Sequence, residues 1–393
     1  MMNISIENNK PEIRLNSQKL SENLAKRAEH DINSGKIAGC GLCVHQGGKE
    51  IFSGFFGYSD AEEKTPIQPN TIYRLASMTK PVTAASALLL REAGKLNIND
   101  KLSKYCPKFS KLKIGKLDEN RNIINLHTPD RELTLLDLLT HTAGFGTDEI
   151  GTMVTDKAPQ DAKKNLETIM QYYCEEMILT FEPNSRRSYS PIAAFDAIAY
   201  VIELISGREI GEYMKEKIFA PLNMTDTTFE LTPQQTARLS AVYDLKDGIV
   251  PVSKKFTGSF EGFPLSYHAG GAGLFSTVGD YCSFAQALCS ASYSSINTFI
   301  SGSSVSLMRK GREISADIKN HPAEIFGLGV RVVKNNPNIP SGCFGWSGAY
   351  GTHFWIDPIN EITAVYMKSS NFDGGAGCTT ANNFEYDIMH SVE

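Results

Sequence analysis

Residues 73–102 read YRLASMTKPVTAASALLLREAGKLNINDKL, and this segment carries the strongest structural signal in the chain. Its run of strong helix formers predicts a helix from Ser77 to Ala93 that ends at Gly94. Ser77 and Lys80 would then share one helix face, with Cβ atoms roughly 5–6 Å apart. A lysine in that position can take the serine proton if burial or a neighbouring cation disfavours its charge. The segment therefore indicates a nucleophilic serine at a helix start, where free N–H groups suit a developing oxyanion.

Taken alone, Ser-x-x-Lys is a weak pattern, since an N-cap serine followed by a solvated lysine gives the same letters. Four other segments strengthen it. Tyr189 lies in RSYSP, residues 187–191, a turn before a predicted amphipathic helix, where a phenol can project into a cleft. WSGAYG, residues 346–351, places small residues at a strand edge, where backbone N–H groups can approach a ligand. LLTHTAG leads from a helix into a turn at 138–144, and GGAGLFST forms a glycine-rich turn at 270–277.

In this order the segments resemble the serine β-lactamase-like superfamily, which includes class C β-lactamases, penicillin-binding DD-peptidases and related esterases. The resemblance runs from about Ser17 to the end of the chain and includes the blocks LLTHTAGF and GGAGLFSTVGDYCSFAQAL. It implies that Ser77 is the acylated nucleophile, Lys80 the first-motif lysine and Tyr189 the second-motif tyrosine that exchanges protons with the serine and the leaving group. It also implies an oxyanion hole formed by the backbone N–H groups of Ser77 and Ala349, and a reaction that needs no cofactor.

Two departures from the family pattern bear on the substrate. The lactamase pattern has Tyr-x-Asn, whereas Pro191 stands at the third position and has neither an amide side chain nor a backbone N–H. The pattern also has Lys-Thr-Gly on the strand beside the site, whereas Trp346, Ser347 and Gly348 stand here. This block resembles the esterase branch, and we expect these three residues to bind substrate, with Trp346 giving an apolar wall and one hydrogen-bond donor.

The order of predicted elements indicates an α+β fold with two lobes. A capped amphipathic helix at 17–34 precedes a hairpin of residues 37–45 and 50–57 around Gly47 and Gly48. Helices then dominate the middle of the chain, and strands return near its end. We therefore expect one antiparallel sheet flanked by the N- and C-terminal helices, with a mostly helical insertion, as in the β-lactamase/transpeptidase-like fold.

Residues 1–393 are expected to form one catalytic domain, with an α/β lobe at about 15–75 plus 320–393 and a helical lobe at about 76–319. The remaining predicted segments are helices at 133–140, 160–177, 191–205, 209–219 and 380–392, strands at 326–333, 343–346, 351–356 and 361–367, and a long surface loop at 108–131.

Composition excludes several classes of protein. The chain has 393 residues, of which 41% are hydrophobic and 21% charged, as in soluble globular proteins. Lys plus Arg number 39 against 44 for Asp plus Glu, so the basic excess of a nucleic-acid binder is missing. The apolar stretch 192–205 contains Asp196 and Glu203 and falls short of the roughly 20 residues of a membrane span. The N-terminus shows no apolar signal segment, which predicts a cytoplasmic location.

The eight cysteines are too sparse for a disulfide scaffold and predict reduced, mostly buried thiols. Cys40 and Cys43 form a CxxC pair on a predicted strand, where residues three apart point to opposite faces, so this pair is not expected to chelate a metal. The histidines, among them His127, His141, His268 and His353, show no metal-ligand spacing, and Walker, GxGxxG, HExxH and GxSxG motifs are missing. No metal site is expected.

These observations predict a serine hydrolase that acts through an acyl-enzyme, with carboxylic esters preferred to β-lactams as its small-molecule substrate. The alternative within the enzyme class is a class C-like β-lactamase or DD-peptidase. A catalytically silent penicillin-binding-like sensor module is the non-enzyme alternative. The segment 145–185 is expected to shape the acyl pocket, and the oligomeric state does not follow from the sequence.

Overall fold

The computed structural model describes residues 12–245, 249–251, 268–293, 299–314 and 324–393. The strands are β1 (Gly39–Gln46), β2 (Lys49–Asp60), β3 (Thr65–Pro66), β4 (Tyr73–Arg74), β5 (Ile114–Leu117), β6 (Ile123–His127), β7 (Tyr243–Leu245), β8 (Ile249–Pro251), β9 (Phe275–Ser276), β10 (Glu324–Phe326), β11 (Arg331–Val333), β12 (Phe344–Gly348), β13 (Thr352–Asp357) and β14 (Ile362–Met367). The helices are α1 (Ser17–Asn33), α2 (Thr79–Glu92), α3 (Leu135–Leu139), α4 (Asp148–Lys157), α5 (Leu166–Glu176), α6 (Ala193–Ser206), α7 (Ile210–Met214), α8 (Pro233–Thr236), α9 (Val278–Tyr293), α10 (Gly302–Arg309) and α11 (Thr379–Met389).

The main sheet has eight strands in the order β10-β11-β12-β13-β14-β1-β2-β3, and all of its neighbouring strands are antiparallel. Three of its strands come from the N-terminal part of the chain and five from the C-terminal part. This confirms the expected α+β architecture, in which a mostly helical segment is inserted between two parts of one sheet. No helix in the described part of the chain is long and apolar enough to cross a bilayer.

The predicted glycine turn joins β1 to β2. Gly47 and Gly48 have φ values of 59° and 73°, the left-handed conformations that a two-residue type I′ turn requires. Gln46 pairs with Lys49 directly across this turn, and the register shifts by a bulge between Val44 and His45. The turn therefore sets which β1 side chains face each side of the sheet.

The two faces of the sheet belong to two hydrophobic cores. Leu42 and Val44 pack on the outer face with Leu20 and Leu24 of α1, whereas Cys43 packs on the inner face with the helical part of the chain. At the centre of that inner core lies α2, whose residues from Thr79 to Leu88 are all buried. Over this stretch the helix has no polar face to expose, so Lys80, the one charged residue in it, lies in the protein interior.

The structure differs from the sequence-based prediction at several boundaries. The predicted loop at 108–131 was wrong, because a 3-10 turn, Pro107–Lys111, and the β5–β6 hairpin occupy it. The buried Ile114 anchors this hairpin by a bridge to Leu179, while all of β6 is exposed, including its apolar residues Ile123, Ile124 and Leu126.

The other differences are interruptions of predicted elements. The predicted helix at 160–177 is interrupted at Asn165, whose side chain accepts the Thr168 N–H and caps α5. The predicted strand at 326–333 is divided into β10 and β11 around Gly329, which has a φ of 72°. The division of the chain into lobes remains a prediction, and its boundary near 320 lies outside the described residues.

Candidate active site

Ser77 lies in a 3-10 turn, Ala76–Met78, that runs directly into α2. The backbone of this turn is strained. Ala76 has a φ of 44°, a left-handed conformation that costs a non-glycine residue about 1–3 kcal/mol and persists only where the surrounding structure holds it. Ala76 is buried in a small cluster with Val242 and Tyr350. The helix predicted to begin at Ser77 therefore begins two residues later, and the serine is held at its N-terminal entrance.

Lys80 is completely buried, and its Nζ donates three hydrogen bonds. The acceptors are Ser77 Oγ at 3.3 Å, the Pro191 carbonyl at 2.6 Å and the Gly271 carbonyl at 2.8 Å. An ammonium group has three N–H donors, so this environment matches the charged form of the lysine. Pro191 lacks the side-chain amide of the lactamase pattern, yet its main-chain oxygen is part of the site.

Tyr189 brings a second group to the serine. Its phenol oxygen donates to Ser77 Oγ over 2.8 Å, and its ring lies 4.9 Å from Lys80 Nζ. The ring packs between the rings of His141, at a centroid distance of 4.5 Å, and Trp346, at 5.6 Å. The three residues predicted to carry the chemistry, Ser77, Lys80 and Tyr189, are thus brought together from two separate parts of the chain.

The loop that carries Tyr189 is held by the start of α4. Asp148 accepts hydrogen bonds from the Ser188 hydroxyl at 2.6 Å and from the Arg186 guanidinium at 2.7 Å. The segment 145–185 was expected to shape the acyl pocket, but none of the described residues that line the cleft comes from it. Through Asp148, this segment instead supports the loop that carries Tyr189.

His141 is a site residue that the sequence analysis did not select. It is buried, and its Nδ1 accepts the backbone N–H of Ser190, next to Tyr189, over 3.1 Å. Burial lowers the pKa of His141 well below its usual range, and the positive charges of Lys80 and Arg187 lower it further. The imidazole is therefore neutral, as its acceptor role requires. The motif LLTHTAG marked its position, but only the fold shows what it contacts.

The strand β12 forms the opposite wall of the site. The ring of Trp346 packs edge-on against Phe326 at a centroid distance of 4.8 Å, and its indole N–H has no acceptor among the described residues. Ser347 also borders the cleft. Its hydroxyl, however, forms a 2.8 Å hydrogen bond with Nδ1 of His353, the residue opposite it on β13. His353 in turn contacts Glu385 of α11, on the side of the sheet away from the cleft. Ser347 therefore offers its main chain, rather than its hydroxyl, to a ligand.

Gly348 lets the end of β12 approach the serine turn. A Cβ atom at this position would lie 2.2 Å from the Leu75 carbonyl and 2.2 Å from Thr352 Oγ1, which donates to the same carbonyl over 3.0 Å. Only glycine fits this contact. Ala349 follows directly and borders the cleft together with Ser77.

These residues line an open cleft of about 520 Å³, within the range of small-molecule sites. The cleft also contains Arg187, Phe326 and Ala376, which the sequence analysis did not single out. Arg331, at the same wall, is paired with Glu324 at 2.9 Å and with Glu385. The described residues that could bind a metal lie elsewhere and do not line this cleft.

Comparison with known proteins agrees with this geometry. The Beta-lactamase family model matches residues 22–383. Protein Rv1367c of Mycobacterium tuberculosis is 29% identical over 355 residues, which cover 85% of this chain and 86% of that protein. Among solved structures, EstCE1, a hydrolase with promiscuous acyltransferase activity, superposes with a TM-score of 0.79 at 22% identity over 95% of this chain and 98% of its own. Simvastatin synthase (LovD) from Aspergillus terreus superposes with a TM-score of 0.78 at 20% identity, over 96% of this chain and 98% of that protein. The chain belongs to the Beta-lactamase family.

Proposed function

We propose that this protein is a carboxylesterase that cleaves neutral esters through an acyl-enzyme on Ser77. The observation that supports this most directly is the convergence of the Tyr189 phenol and the Lys80 ammonium group on one oxygen, Ser77 Oγ. A hydroxyl with a proton acceptor and a cation within reach, in a cleft of substrate size, has the arrangement of an activated nucleophile.

The hydrogen bonds of Lys80 suggest how the roles are divided. Its three donors already have acceptors, so Lys80 acts as a fixed positive charge rather than as the base. Tyr189, after its phenol proton has passed to solvent, takes the proton of Ser77 as the serine oxygen attacks the ester carbonyl. Tyr189 then returns this proton to the departing alcohol.

Water completes the cycle on the same groups. It attacks the acyl-enzyme carbonyl while Tyr189 accepts one of its protons, and that proton passes to Ser77 as the acid is released. The proposed oxyanion donors are the backbone N–H groups of Ser77 and Ala349. The contact of Gly348 with the Leu75 carbonyl supports this, because it brings the end of β12 beside the serine turn.

The preference for uncharged substrates rests on the wall formed by β12. Trp346 stands where the lactamase pattern has a cation, and it packs with Phe326 as an apolar surface. The nearby Arg331 has its charge compensated by Glu324 and Glu385. EstCE1, whose fold this chain shares, is a hydrolase with promiscuous acyltransferase activity, and acyl transfer is the reaction type proposed here for Ser77.

One observation supports a second candidate function. Arg187 borders the cleft beside Tyr189, and a guanidinium in this position suits a carboxylate-bearing substrate. A class C-like β-lactamase or DD-peptidase activity would use such a contact.

Mass spectrometry of the intact protein tests the proposal. After incubation with a fluorophosphonate, we expect one adduct on the wild type and none on Ser77→Ala, and ester turnover and a separate incubation with a penicillin are measured alongside. Ser86→Ala is the matched control, since Ser86 is a buried serine of the same helix that only bonds the Val82 carbonyl. Unchanged labelling of Ser77→Ala would disprove the nucleophile. Labelling without ester turnover would identify a sensor module, and a penicillin adduct that clears rapidly would identify a β-lactamase.

A further inference from the structure

Two thiols and an imidazole meet between the inner face of the sheet and α9. Cys43 and His45 are two residues apart on β1, so both side chains point to the same face. Cys282 reaches them from α9, which packs against β1 and β14. Within the described parts of the chain, these residues form the one group of three or more His, Cys, Asp and Glu side chains whose ligand atoms all lie within 4.8 Å of one another.

The spacing of these atoms is that of metal ligands. His45 Nδ1 lies 3.4 Å from Cys43 Sγ and 3.1 Å from Cys282 Sγ. Around a tetrahedral Zn²⁺ ion, with Zn–S near 2.3 Å and Zn–N near 2.0–2.1 Å, sulfur and nitrogen ligands are about 3.5 Å apart. Small movements of the side chains would therefore accommodate the ion without rearrangement of the backbone.

A fourth ligand is available at the edge of this group. Glu50 Oε2 lies 3.9 Å from Cys43 Sγ, and Glu50 Oε1 accepts the Ser53 hydroxyl at 2.7 Å, which orients the carboxylate. Glu50 is exposed, whereas Cys43, His45 and Cys282 are buried. A metal would thus be held by three interior ligands and closed off from solvent by a carboxylate.

We propose that Cys43, His45, Cys282 and Glu50 bind one Zn²⁺ ion. Two thiolates and an imidazole select a borderline-soft ion over Mg²⁺ or Ca²⁺, which require oxygen ligands. Binding forms two Zn–S bonds, one Zn–N bond and one Zn–O bond, and each cysteine that is protonated beforehand releases its proton to solvent. Electrons are not transferred, so the step needs no oxidant or reductant.

The proposed zinc is structural, and its position connects it to the serine. Tyr281, the residue before Cys282, donates its hydroxyl to the Met78 carbonyl over 2.8 Å, and Met78 follows Ser77 in the 3-10 turn. By tying α9 to β1, the ion would stabilise the helix that supports this turn. The cleft itself lies outside the ligand group, so the ion takes no part in bond cleavage.

Metal stoichiometry tests this proposal. The full chain is reduced, stripped with a chelator, incubated with Zn²⁺ and desalted, and zinc is counted by mass spectrometry. We expect about one ion per wild-type chain, and less than about a tenth of this in Cys43→Ser and Cys282→Ser. Cys289→Ser is the matched control, because Cys289 is also buried on α9 and should leave the zinc content unchanged. Glu50→Gln should weaken zinc binding about tenfold or more while retaining a site.

Two further measurements do not depend on the folding of the variants. The stripped wild type should gain thermal stability on addition of Zn²⁺ and lose it again with chelator. Substitution by Co²⁺ should produce a thiolate-to-metal charge-transfer absorption. A reduced wild type that binds no zinc and shows neither effect would overturn the site. Equal zinc content in the wild type and the Cys43→Ser/Cys282→Ser double variant would also overturn the site. So would the formation of a disulfide between Cys43 and Cys282 in place of zinc binding.

Discussion

Tyr189 donates a 2.8 Å hydrogen bond to Ser77 Oγ across 112 residues of sequence. The two residues approach each other because Ser77 is fixed by a strained turn before α2, while Tyr189 is held on a loop supported by His141 and Asp148. Neither position depends on the other, so the hydrogen bond is the product of two rigid supports. Such preorganisation favours proton transfer without reorganisation of the site.

The first prediction concerns the proton network of the site. Tyr189→Phe removes the proposed base, and Lys80→Ala removes the ammonium group that contacts Ser77 Oγ and the Tyr189 ring. Each change should lower kcat for an aryl ester by about 10²–10⁴. Because both act on Ser77, the double variant should lose little more than the worse single one. A kcat that falls by the product of the two single effects would show that they act independently. Tyr58→Phe, at an exposed tyrosine of β2, is the control and should be neutral.

The second prediction concerns the close approach of β12 to the serine turn. In Gly348→Ala the added Cβ would meet the Leu75 carbonyl at 2.2 Å, so the strand must move and carry the N–H of Ala349 with it. Loss of one oxyanion donor typically costs about 10²–10³ in kcat. Gly279→Ala is the control, because Gly279 lies in the first turn of α9 with open space around its Cβ position. Normal kcat in Gly348→Ala would exclude Ala349 as an oxyanion donor.

Much of this architecture could be predicted from the sequence because it depends on local signals. The glycine pair at 47 and 48 predicts the hairpin turn, and the helix formers after Ser77 predict α2. The pairing of Ser77 with Lys80 also follows from helix spacing, whereas the addition of Tyr189 to this pair was inferred only from the resemblance to a family. The hairpin at 114–127 was missed, because β5 is joined to the rest of the fold through Ile114 and Gly115, which pair with the distant Leu179.

Contacts over long sequence distances explain what the sequence could not show. The three acceptors of Lys80 include the carbonyls of Pro191 and Gly271, and no side-chain pattern identifies a carbonyl acceptor. The cysteines give a second example. The sequence analysis compared Cys40 with Cys43, which lie on opposite faces, whereas the strand period of two places Cys43 with His45. Cys282, 237 residues from His45, completes the group only in three dimensions.

The third prediction concerns stability in acid. Asp137 is buried in α3; burial raises its pKa, but hydrogen bonds from Arg131 and Thr134 outweigh this and hold it below its usual range. The guanidinium of Arg312 donates to it as well, at 2.6 Å. A depressed carboxyl pKa gives stability that is present above about pH 3.9, the unfolded value, and is lost as pH falls through the folded value.

Asp137→Asn should therefore destabilise the protein by about 3 kcal/mol at pH 7, because it leaves two guanidinium groups without their buried partner. The difference from wild type should shrink as the pH is lowered toward 3, as measured by urea unfolding. Asp161→Asn removes only a highly exposed carboxylate paired with Lys164 and should leave stability unchanged at either pH. A constant difference between Asp137→Asn and wild type across this range would contradict the assigned pKa direction.

The fourth prediction concerns substrate choice. The lactamase pattern supplies a charged donor and an amide where this chain has Trp346 and Pro191, and losing one charged and one neutral hydrogen bond forfeits roughly 2–4.5 kcal/mol. We expect kcat/KM for a neutral aryl ester to exceed that for a chromogenic cephalosporin by about 30-fold to 2 × 10³-fold. Replacing residues 346–348 by Lys-Thr-Gly should raise kcat/KM for the cephalosporin and lower kcat/KM for the ester. Circular dichroism checks that the fold is retained.

Arg187 separates the two interpretations of the cleft. If esters are the substrates, Arg187→Ala should leave kcat/KM for a neutral ester within about threefold of wild type, since an uncharged ligand has no carboxylate for the guanidinium to bind. If an anionic substrate is the natural one, the same variant should lose activity on the cephalosporin selectively, by about 10-fold or more. Comparable efficiency of the unmodified protein on ester and cephalosporin, together with that selective loss, would show that Arg187 replaces the missing strand cation, and β-lactam hydrolysis would then become the preferred function.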